Sequence, residues 1–173
     1  DAFSGYASET ICLLIGCLDS SKTADANLSK TVLKAFSSLG IYASDLLYLI
    51  VPQICDAIEC EQTLPKVRVI AFQTLSNLMQ SVDLFPYLGL IMRSLTTGLF
   101  STDTKTQRSA FDFLNITLKA QGSNFLKDAE PIFEQVNSLG IMTTEFQSVI
   151  KDVKNGKYQK SYKPLLFSFN EML

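Results

Sequence analysis

Three copies of a five-residue pattern, Ala-Phe-x-x-Leu, constrain the fold of this chain more than any other feature. They begin at Ala35, Ala71 and Ala110, so the intervals between them are 36 and 39 residues. On a helix, an alanine and a leucine four positions apart lie on the same face and give it a small notch beside a bulky ridge. Internal similarity at such a period is typical of stacked helical repeats. The sequence therefore predicts an all-α fold, built as an α-solenoid of antiparallel helix pairs.

Apolar residues at helical spacing divide the first part of the chain into helices. The sequence predicts a helix over 6–18, a polar connector over 19–23, and a second helix that starts at an Asn27 N-cap and ends near Leu39. Gly40 is expected just past that end, where a left-handed residue favours glycine. The predicted inward face of this second helix comprises Leu28, Thr31, Val32, Ala35 and Leu39.

Helical patterns continue through the rest of the chain. A return helix is predicted from an N-cap at Ser44 to about Glu59, with a bend at Pro52. Pro65 suits the first turn of the next helix, which ends near Ser81. Further helices are expected over 84–100, 103–121, 124–138 and 138–152. The segment 154–157 predicts a break, and the aromatic, apolar tail 161–173 is a candidate for a last short helix.

We expect these helices to form one domain over 1–173. Its repeats would cover about 1–24 in part, 27–60, 65–100 and 103–138, with 142–173 as a partial or capping repeat. A single pair of helices cannot bury its own apolar face, so each pair must stack on its neighbours. The chain opens with Asp1 in the middle of a helical pattern, which favours a piece cut from a longer protein.

Composition excludes several classes of chemistry. The chain has no histidine, which excludes Ser-His-Asp and Cys-His catalytic triads and histidine-liganded metals. Its glycines are scattered singly and form no phosphate-binding loop, and Asp103, Asp112 and Asp128 are too dispersed for a pair of catalytic carboxylates. We therefore predict no catalytic, cofactor-binding or metal-binding residues, and no cofactor. The net charge of −2 and the short apolar runs predict neither nucleic-acid binding nor a membrane span.

The cysteines and aromatic residues are expected to be structural. The cysteine pairs are spaced too widely for a zinc ribbon, and we expect small buried side chains in a reducing compartment. Large aromatic side chains at helical spacing are expected in the core rather than as a platform for stacking bases. These residues are Cys12, Cys17, Cys55 and Cys60, and Phe36, Phe72, Phe85, Phe111, Phe113, Phe125 and Phe133.

Two charged groups leave alternatives open. Five lysines at every third position, Lys151, Lys154, Lys157, Lys160 and Lys163, form either a solvated basic end or a stripe that binds anions. The acidic residues at 56, 59 and 61, which close one predicted helix, are either solvated or mark a basic partner.

The repeat period, the Ala-x-x-x-Leu pattern of the first helices and the prolines Pro52 and Pro131 in two of the second helices resemble HEAT repeats. A narrower likeness lies in the order of segments over 29–158. This order is Leu39-Gly40, the run 45–54, Leu64-Pro65, Ala71 with Thr74-Leu75, the run 108–114, and Phe125 before Pro131-Ile132. It is similar to the late part of the amino-terminal HEAT array of the target-of-rapamycin (TOR) Ser/Thr protein kinases. Residues 88–89 depart from the pattern, which expects a proline there.

The resemblance implies a non-catalytic scaffold for protein assembly, within a parent chain that has Ser/Thr kinase activity elsewhere and acts in nutrient and growth signalling. It also implies a cytoplasmic protein that reaches endomembranes peripherally through its partners. The implied partners are a Raptor-like accessory subunit or a second copy of the parent chain. No functional residue is carried over from the family. The alternative is a HEAT adaptor of another kind, such as a nuclear-transport receptor or a phosphatase scaffold.

Overall fold

A computed structural model of the chain describes residues 2–138, 140 and 144–158. These residues form helices joined by turns, with no strand among them. The helices are α1 (Ala2–Ser21), α2 (Ala26–Tyr42), α3 (Leu47–Glu59), α4 (Pro65–Ser81), α5 (Leu88–Leu99), α6 (Thr104–Gln121), α7 (Ser123–Ser138) and α8 (Thr144–Lys154). Two 3₁₀ turns, Ser44–Leu46 and Phe85–Tyr87, precede α3 and α5. The predicted all-α fold class is confirmed for this part of the chain.

The helices pack in two rows. In the even row, α2 lies against α4, α4 against α6 and α6 against α8. In the odd row, α1 contacts α3 and α3 packs against α5. The two rows contact each other where α3 packs against α4 and where α5 packs against α6. Gln121 Nε2 at the end of α6 donates to Met79 Sδ at the end of α4 (3.2 Å), and Gly40 in α2 lies beside Leu78 in α4. Helices of the even row therefore end on the same side of the molecule.

The connection between α1 and α2 lies later than predicted. α1 continues to Ser21, so the connector covers 22–25 rather than 19–23. The N-cap of α2 is Asp25 and not Asn27, because the Asp25 carboxylate accepts hydrogen bonds from the backbone N–H groups of Asn27 (2.9 Å) and Leu28 (3.1 Å). Aspartate caps a helix as well as asparagine does, and this cap starts α2 at Ala26.

The inward face of α2 also differs from the prediction. Buried positions are Ser29, Val32, Leu33, Phe36 and Gly40. Leu28 is 42% exposed and Thr31 is exposed, while Ala35 and Leu39 are half-buried. The larger Phe36 buries more apolar surface than its neighbour Ala35 would, and this orients the helix. Ser29 keeps its hydroxyl paired, since its Oγ lies 2.8 Å from Ser21 Oγ.

Gly40 has a packing role instead of the predicted terminal one. It lies within α2 and its φ is not positive. A Cβ at this position would lie 2.8 Å from Leu78 Cδ2 and 3.0 Å from Leu47 Cδ2. Glycine at position 40 therefore allows α2 to approach α3 and α4 closely.

The turns before α3 and α5 contain the remaining differences. Ser44 makes no side-chain cap and instead begins a 3₁₀ turn, so α3 starts at Leu47. Pro52 lies inside α3 as predicted. In the next pair, Pro86 occupies the 3₁₀ turn before α5 rather than a position inside that helix. A proline early in a helical turn breaks no hydrogen bond, since that N–H would lack a partner in any case.

The repeated Ala-Phe-x-x-Leu pattern lies at the centre of the packing in its second and third copies. Ala71, Phe72, Leu75, Ala110 and Leu114 are fully buried. The close contact of α4, α5 and α6 depends on Gly98 in α5, where an added Cβ would lie 2.8 Å from the Cβ of Ala110. In the first copy only the phenylalanine is fully buried.

Most of the predicted core aromatics are buried. Phe36, Phe72, Phe113 and Phe125 are fully buried, and Phe111 and Phe133 pack partly buried against the core. Phe146 of α8 packs between Phe111 and Phe133: its ring centroid lies 4.9 Å from that of Phe111 and 5.7 Å from that of Phe133. The prediction is wrong for Phe85, which is 49% exposed because it lies in the 3₁₀ turn and not inside a helix.

Glycines with a positive φ lie at three turns near the end of the described residues, at positions 122, 140 and 156. Gly122 has a φ of 60° between α6 and α7, and Gly156 has a φ of 75° after α8. Glycine adopts this left-handed region without the clash of a Cβ. The predicted breaks at 121–123 and 154–157 are confirmed, whereas the predicted tail 161–173 lies outside the described residues.

Candidate protein-interaction surface

The two rows of helices carry opposite charges. In α2, α4 and α6 the basic residues are Lys30, Lys34, Lys66, Arg68, Lys105, Arg108 and Lys119, and the acidic one is Asp112. In α1, α3 and α5 the acidic residues are Glu9, Asp19, Asp56 and Glu59, and the basic one is Arg93. The net charge of −2 therefore conceals a basic even row and an acidic odd row.

A groove runs along the basic row between α2 and α4. Its wider part, about 810 Å³, lies at the beginning of these helices and reaches the start of α6. It continues into a narrower part of about 320 Å³ further along α2 and α4. Lys30, Ile70 and Gln73 line both parts, so the groove is continuous. We call it the lysine groove, after the lysines 30, 34, 66 and 105 that line it.

None of these four lysines forms an ion pair within the described ranges, where the ion pairs involve other basic residues. Lys105 nevertheless lies near enough to Asp103 to interact with its charge. All four are exposed. The acid that lines the groove, Asp103, is the N-cap of α6: its Oδ2 accepts hydrogen bonds from the Thr106 backbone N–H and hydroxyl (both 2.8 Å). These bonds lower the pKa of Asp103 below its ordinary value. The lysines are therefore available to an external anion.

The floor and one wall of the groove suit a peptide. Half-buried apolar side chains, including Leu64, Val69 and Ile70, form part of the lining. Gln73 and Asn77 project from α4 into it with exposed amide groups, which both donate and accept hydrogen bonds. The groove thus combines positive charge, apolar surface and amides that can pair with a backbone.

Two of the three acids predicted as a group at the end of α3 have partners inside the chain. Asp56 Oδ2 accepts from Lys22 Nζ at 2.5 Å, and Glu59 accepts from Arg93 (2.6 Å) and from the Ser94 hydroxyl (2.7 Å). Burial lowers the pKa of Lys22, but its hydrogen bonds to Asp56 and Asp19 outweigh this and raise it overall. Asp56 and Glu59 therefore join α3 to the α1 end and to α5, whereas Glu61 is exposed after α3.

The other predicted groups are not brought together. Lys151 and Lys154 are exposed on α8, and Lys157 pairs with Asp152 (2.7 Å). Lys160 and Lys163 lie outside the described residues. The lysine stripe is thus interrupted by an internal ion pair where the structure describes it.

The cysteines occupy three different environments. Cys12 and Cys17 are exposed on α1, Cys60 is half-buried, and Cys55 is buried. Exposure of the first two contradicts their prediction as buried residues and follows from the outer position of α1. Burial raises the pKa of the Cys55 thiol to about 11. Within the described residues, no three potential metal ligands of the Cys, Asp or Glu type come together.

Comparison with known proteins gives one similarity. The chain is 21% identical over 177 residues to the serine/threonine-protein kinase mTor of Drosophila melanogaster. The alignment covers 98% of this chain and 7% of that protein. The chain resembles one segment of a much larger kinase. No protein-family profile matches the chain, and no solved structure matches it.

This similarity supports a TOR-like helical region. The chain spans a small fraction of the length of the relative it matches. Across residues 2–138, 140 and 144–158, every helix is too short or too polar to cross a bilayer.

The lysine groove was missed by the sequence analysis. A signal was present, because the segments 26–42 and 65–81 contain basic residues and no acid. The net charge of the whole chain does not reveal this signal, because acidic residues elsewhere offset the basic ones. Charge counted separately for alternate helices would have found it.

Proposed function

We propose that the chain is a non-catalytic scaffold for protein–protein assembly, an α-solenoid of antiparallel HEAT-like helix pairs within a TOR-type Ser/Thr kinase of nutrient and growth signalling. The observation that carries this proposal is the packing of alternate helices, α2 on α4, α4 on α6 and α3 on α5. Stacked pairs require this arrangement. We assign α2–α3, α4–α5 and α6–α7 to the proposed repeats 27–60, 65–100 and 103–138.

The similarity to mTor supports the choice of parent protein, since it extends over almost the whole chain. Kinase activity of the relative belongs to that protein, and we propose that this segment takes no part in catalysis. The proposed partners are a Raptor-like accessory subunit or a second copy of the parent chain. The proposed location is cytoplasmic, with peripheral attachment to endomembranes through those partners.

The test is affinity purification of the tagged full-length protein, with mass spectrometry of its companions and a kinase assay with ATP. The proposal predicts a very large chain with kinase activity and a Raptor-like companion. The purified 173-residue chain serves as the control and should transfer no phosphate. A mid-sized parent without kinase activity, accompanied by transport cargo or a phosphatase subunit, would contradict the TOR assignment and favour a HEAT adaptor of another kind.

A further inference from the structure

We propose that the lysine groove binds an extended acidic peptide segment of a partner protein, with glutamate or aspartate at alternate positions. This inference rests on the proposed scaffold function and names the chemistry of the partner. It also names the surface that would receive the partner, the even row rather than the odd row.

The spacing of the groove residues fits an extended peptide. Lys30 and Lys34 lie four positions apart on α2, which separates them by about 6 Å along the helix. Gln73 and Asn77 repeat this spacing on the opposite wall. Alternate side chains of an extended strand are about 6.6 Å apart. Two acidic side chains at positions i and i+2 would therefore reach the two lysines, while the amides on α4 pair with the peptide backbone.

The length of the groove favours a peptide over a small anion. From Lys66 to Asn77 the groove follows α4 over eleven residues, which corresponds to about 16 Å. An extended segment of about five residues covers that distance. A single phosphate or carboxylate would contact one end and leave the other lysines without an anion.

The cationic groups of the lysines, and not the helix ends, are the groups available to the peptide. Asp25 and Asp103 already accept hydrogen bonds from the first turns of α2 and α6. In α4 the first position is Pro65, which has no N–H to offer. The positive charge of the groove thus lies on Lys30, Lys34, Lys66 and Lys105, and the Asp103 carboxylate adds one negative charge near Lys105.

The composition of the groove favours protein over nucleic acid. Single-stranded nucleic acid is held by aromatic side chains on which bases stack. Among the described residues that line the groove, none is aromatic. Its apolar side chains, such as Val69 and Ile70, suit instead the apolar side chains that alternate with the acids on an extended peptide.

The experiment measures binding of a fluorescein-labelled decapeptide of alternating Glu and Val to the full 173-residue chain by fluorescence anisotropy, with chain concentrations up to about 0.5 mM. Comparison probes are the same peptide with Gln for Glu, a peptide of the same composition with all Glu in one block, and a single-stranded oligodeoxynucleotide of similar length. We expect binding of the alternating peptide that weakens at least threefold between about 0.05 M and 0.3 M salt. The Gln and block peptides should bind less tightly.

Matched variants locate the site. Lys30→Gln/Lys34→Gln removes two groove lysines, and Lys119→Gln/Lys154→Gln removes two exposed lysines outside the groove with the same change in net charge. All four side chains are exposed, so both proteins should fold, and circular dichroism checks this. Exposed charge pairs contribute modestly, so the groove variant should bind about fivefold more weakly and the control variant within about twofold of the original chain.

Several outcomes would overturn the proposal. These are no binding of the alternating peptide, an equal loss in both variants, or tighter binding of the oligodeoxynucleotide that depends on the groove lysines. If the full-length protein still purifies with its partners while the chain binds no peptide, the groove proposal fails and the scaffold proposal stands. If the groove binds the peptide but no partner is found, the scaffold proposal fails instead.

Discussion

Gly98→Ala should destabilise the protein, although alanine is the better helix former. Gly98 lies in α5 at its contact with α4 and α6, and it is buried. An alanine Cβ would lie 2.6 Å from Cε2 of Phe72 and 2.8 Å from the Cβ of Ala110. Phe72 cannot easily move away, because it is fully buried and its ring centroid lies 6.0 Å from that of Phe113.

The expected magnitude is the difference between two effects. Overpacking a core costs about 1–3 kcal/mol, and replacing a helical glycine by alanine contributes about 0.5–1 kcal/mol in the other direction. The two ranges leave a net loss of about 0–2.5 kcal/mol in the free energy of unfolding. Because the added Cβ would lie within 3 Å of two buried side chains, we expect a loss of about 1–2 kcal/mol. For a chain of this length, that lowers Tm by about 2–8 °C.

Urea unfolding followed by circular dichroism at 222 nm measures this change. Gly16→Ala is the matched control, since Gly16 is exposed within α1 and an added Cβ would meet nothing within 4 Å. This control should be as stable as the original chain or up to about 1 kcal/mol more stable. In a Phe72→Leu background, Gly98→Ala should cost less than it does alone, because the smaller side chain makes room. If Gly98→Ala proves as stable as the original chain, the close packing of α4, α5 and α6 is refuted.

Three further changes probe other contacts. Asp25→Ala should lower the free energy of unfolding by about 1 kcal/mol in urea titrations, because α2 loses its N-cap, whereas Asp25→Asn should retain most of it. Glu59→Ala should cost about 1–3 kcal/mol by the same assay, because the buried Ser94 hydroxyl loses its carboxylate acceptor at 2.7 Å and keeps only weaker contacts with a backbone carbonyl (3.3 Å) and with Cys55. Arg93→Ala on the exposed side should cost less. Since burial raises the pKa of Cys55 from 9.0 to about 11, the unfolded chain loses this proton first as the pH rises. The free energy of unfolding should therefore fall between pH 9 and 11 by at most about 1.4 kcal/mol per pH unit. Cys55→Ala should show a smaller decrease over this range; an equal decrease would mean that the pKa of Cys55 is not raised.

Helix content followed from the sequence because apolar spacing and turn residues are local signals. Pro65 marks the start of a helix and Gly122 the end of one, whatever the packing of the rest of the chain. The sequence predicts the orientation of α2 less well, because two apolar faces overlap along this helix. Leu28 and Leu39 define one face and Leu33 and Phe36 the other, and contact with neighbouring helices selects the second.

The basic charge of the lysine groove is visible in the sequence of its helices, but the groove itself is not. Its walls come from segments around 26–38, 64–77 and 103–105, which become neighbours only through the packing of alternate helices. Likewise, the sequence does not show that Lys22 lies beside Asp56 or that Arg93 lies beside Glu59. Ion pairs that join residues more than 30 positions apart leave no periodic signal in the sequence.

Carbodiimide coupling in the affinity-purified full-length protein, read by mass spectrometry, tests the central claim most directly. This reagent joins a lysine amine to a carboxylate only when the two are in contact. The account predicts covalent links from Lys30, Lys34, Lys66 or Lys105 to aspartate or glutamate residues of another protein chain. Links from Lys119 or Lys154 alone, or no link from this segment to any other chain, would contradict it.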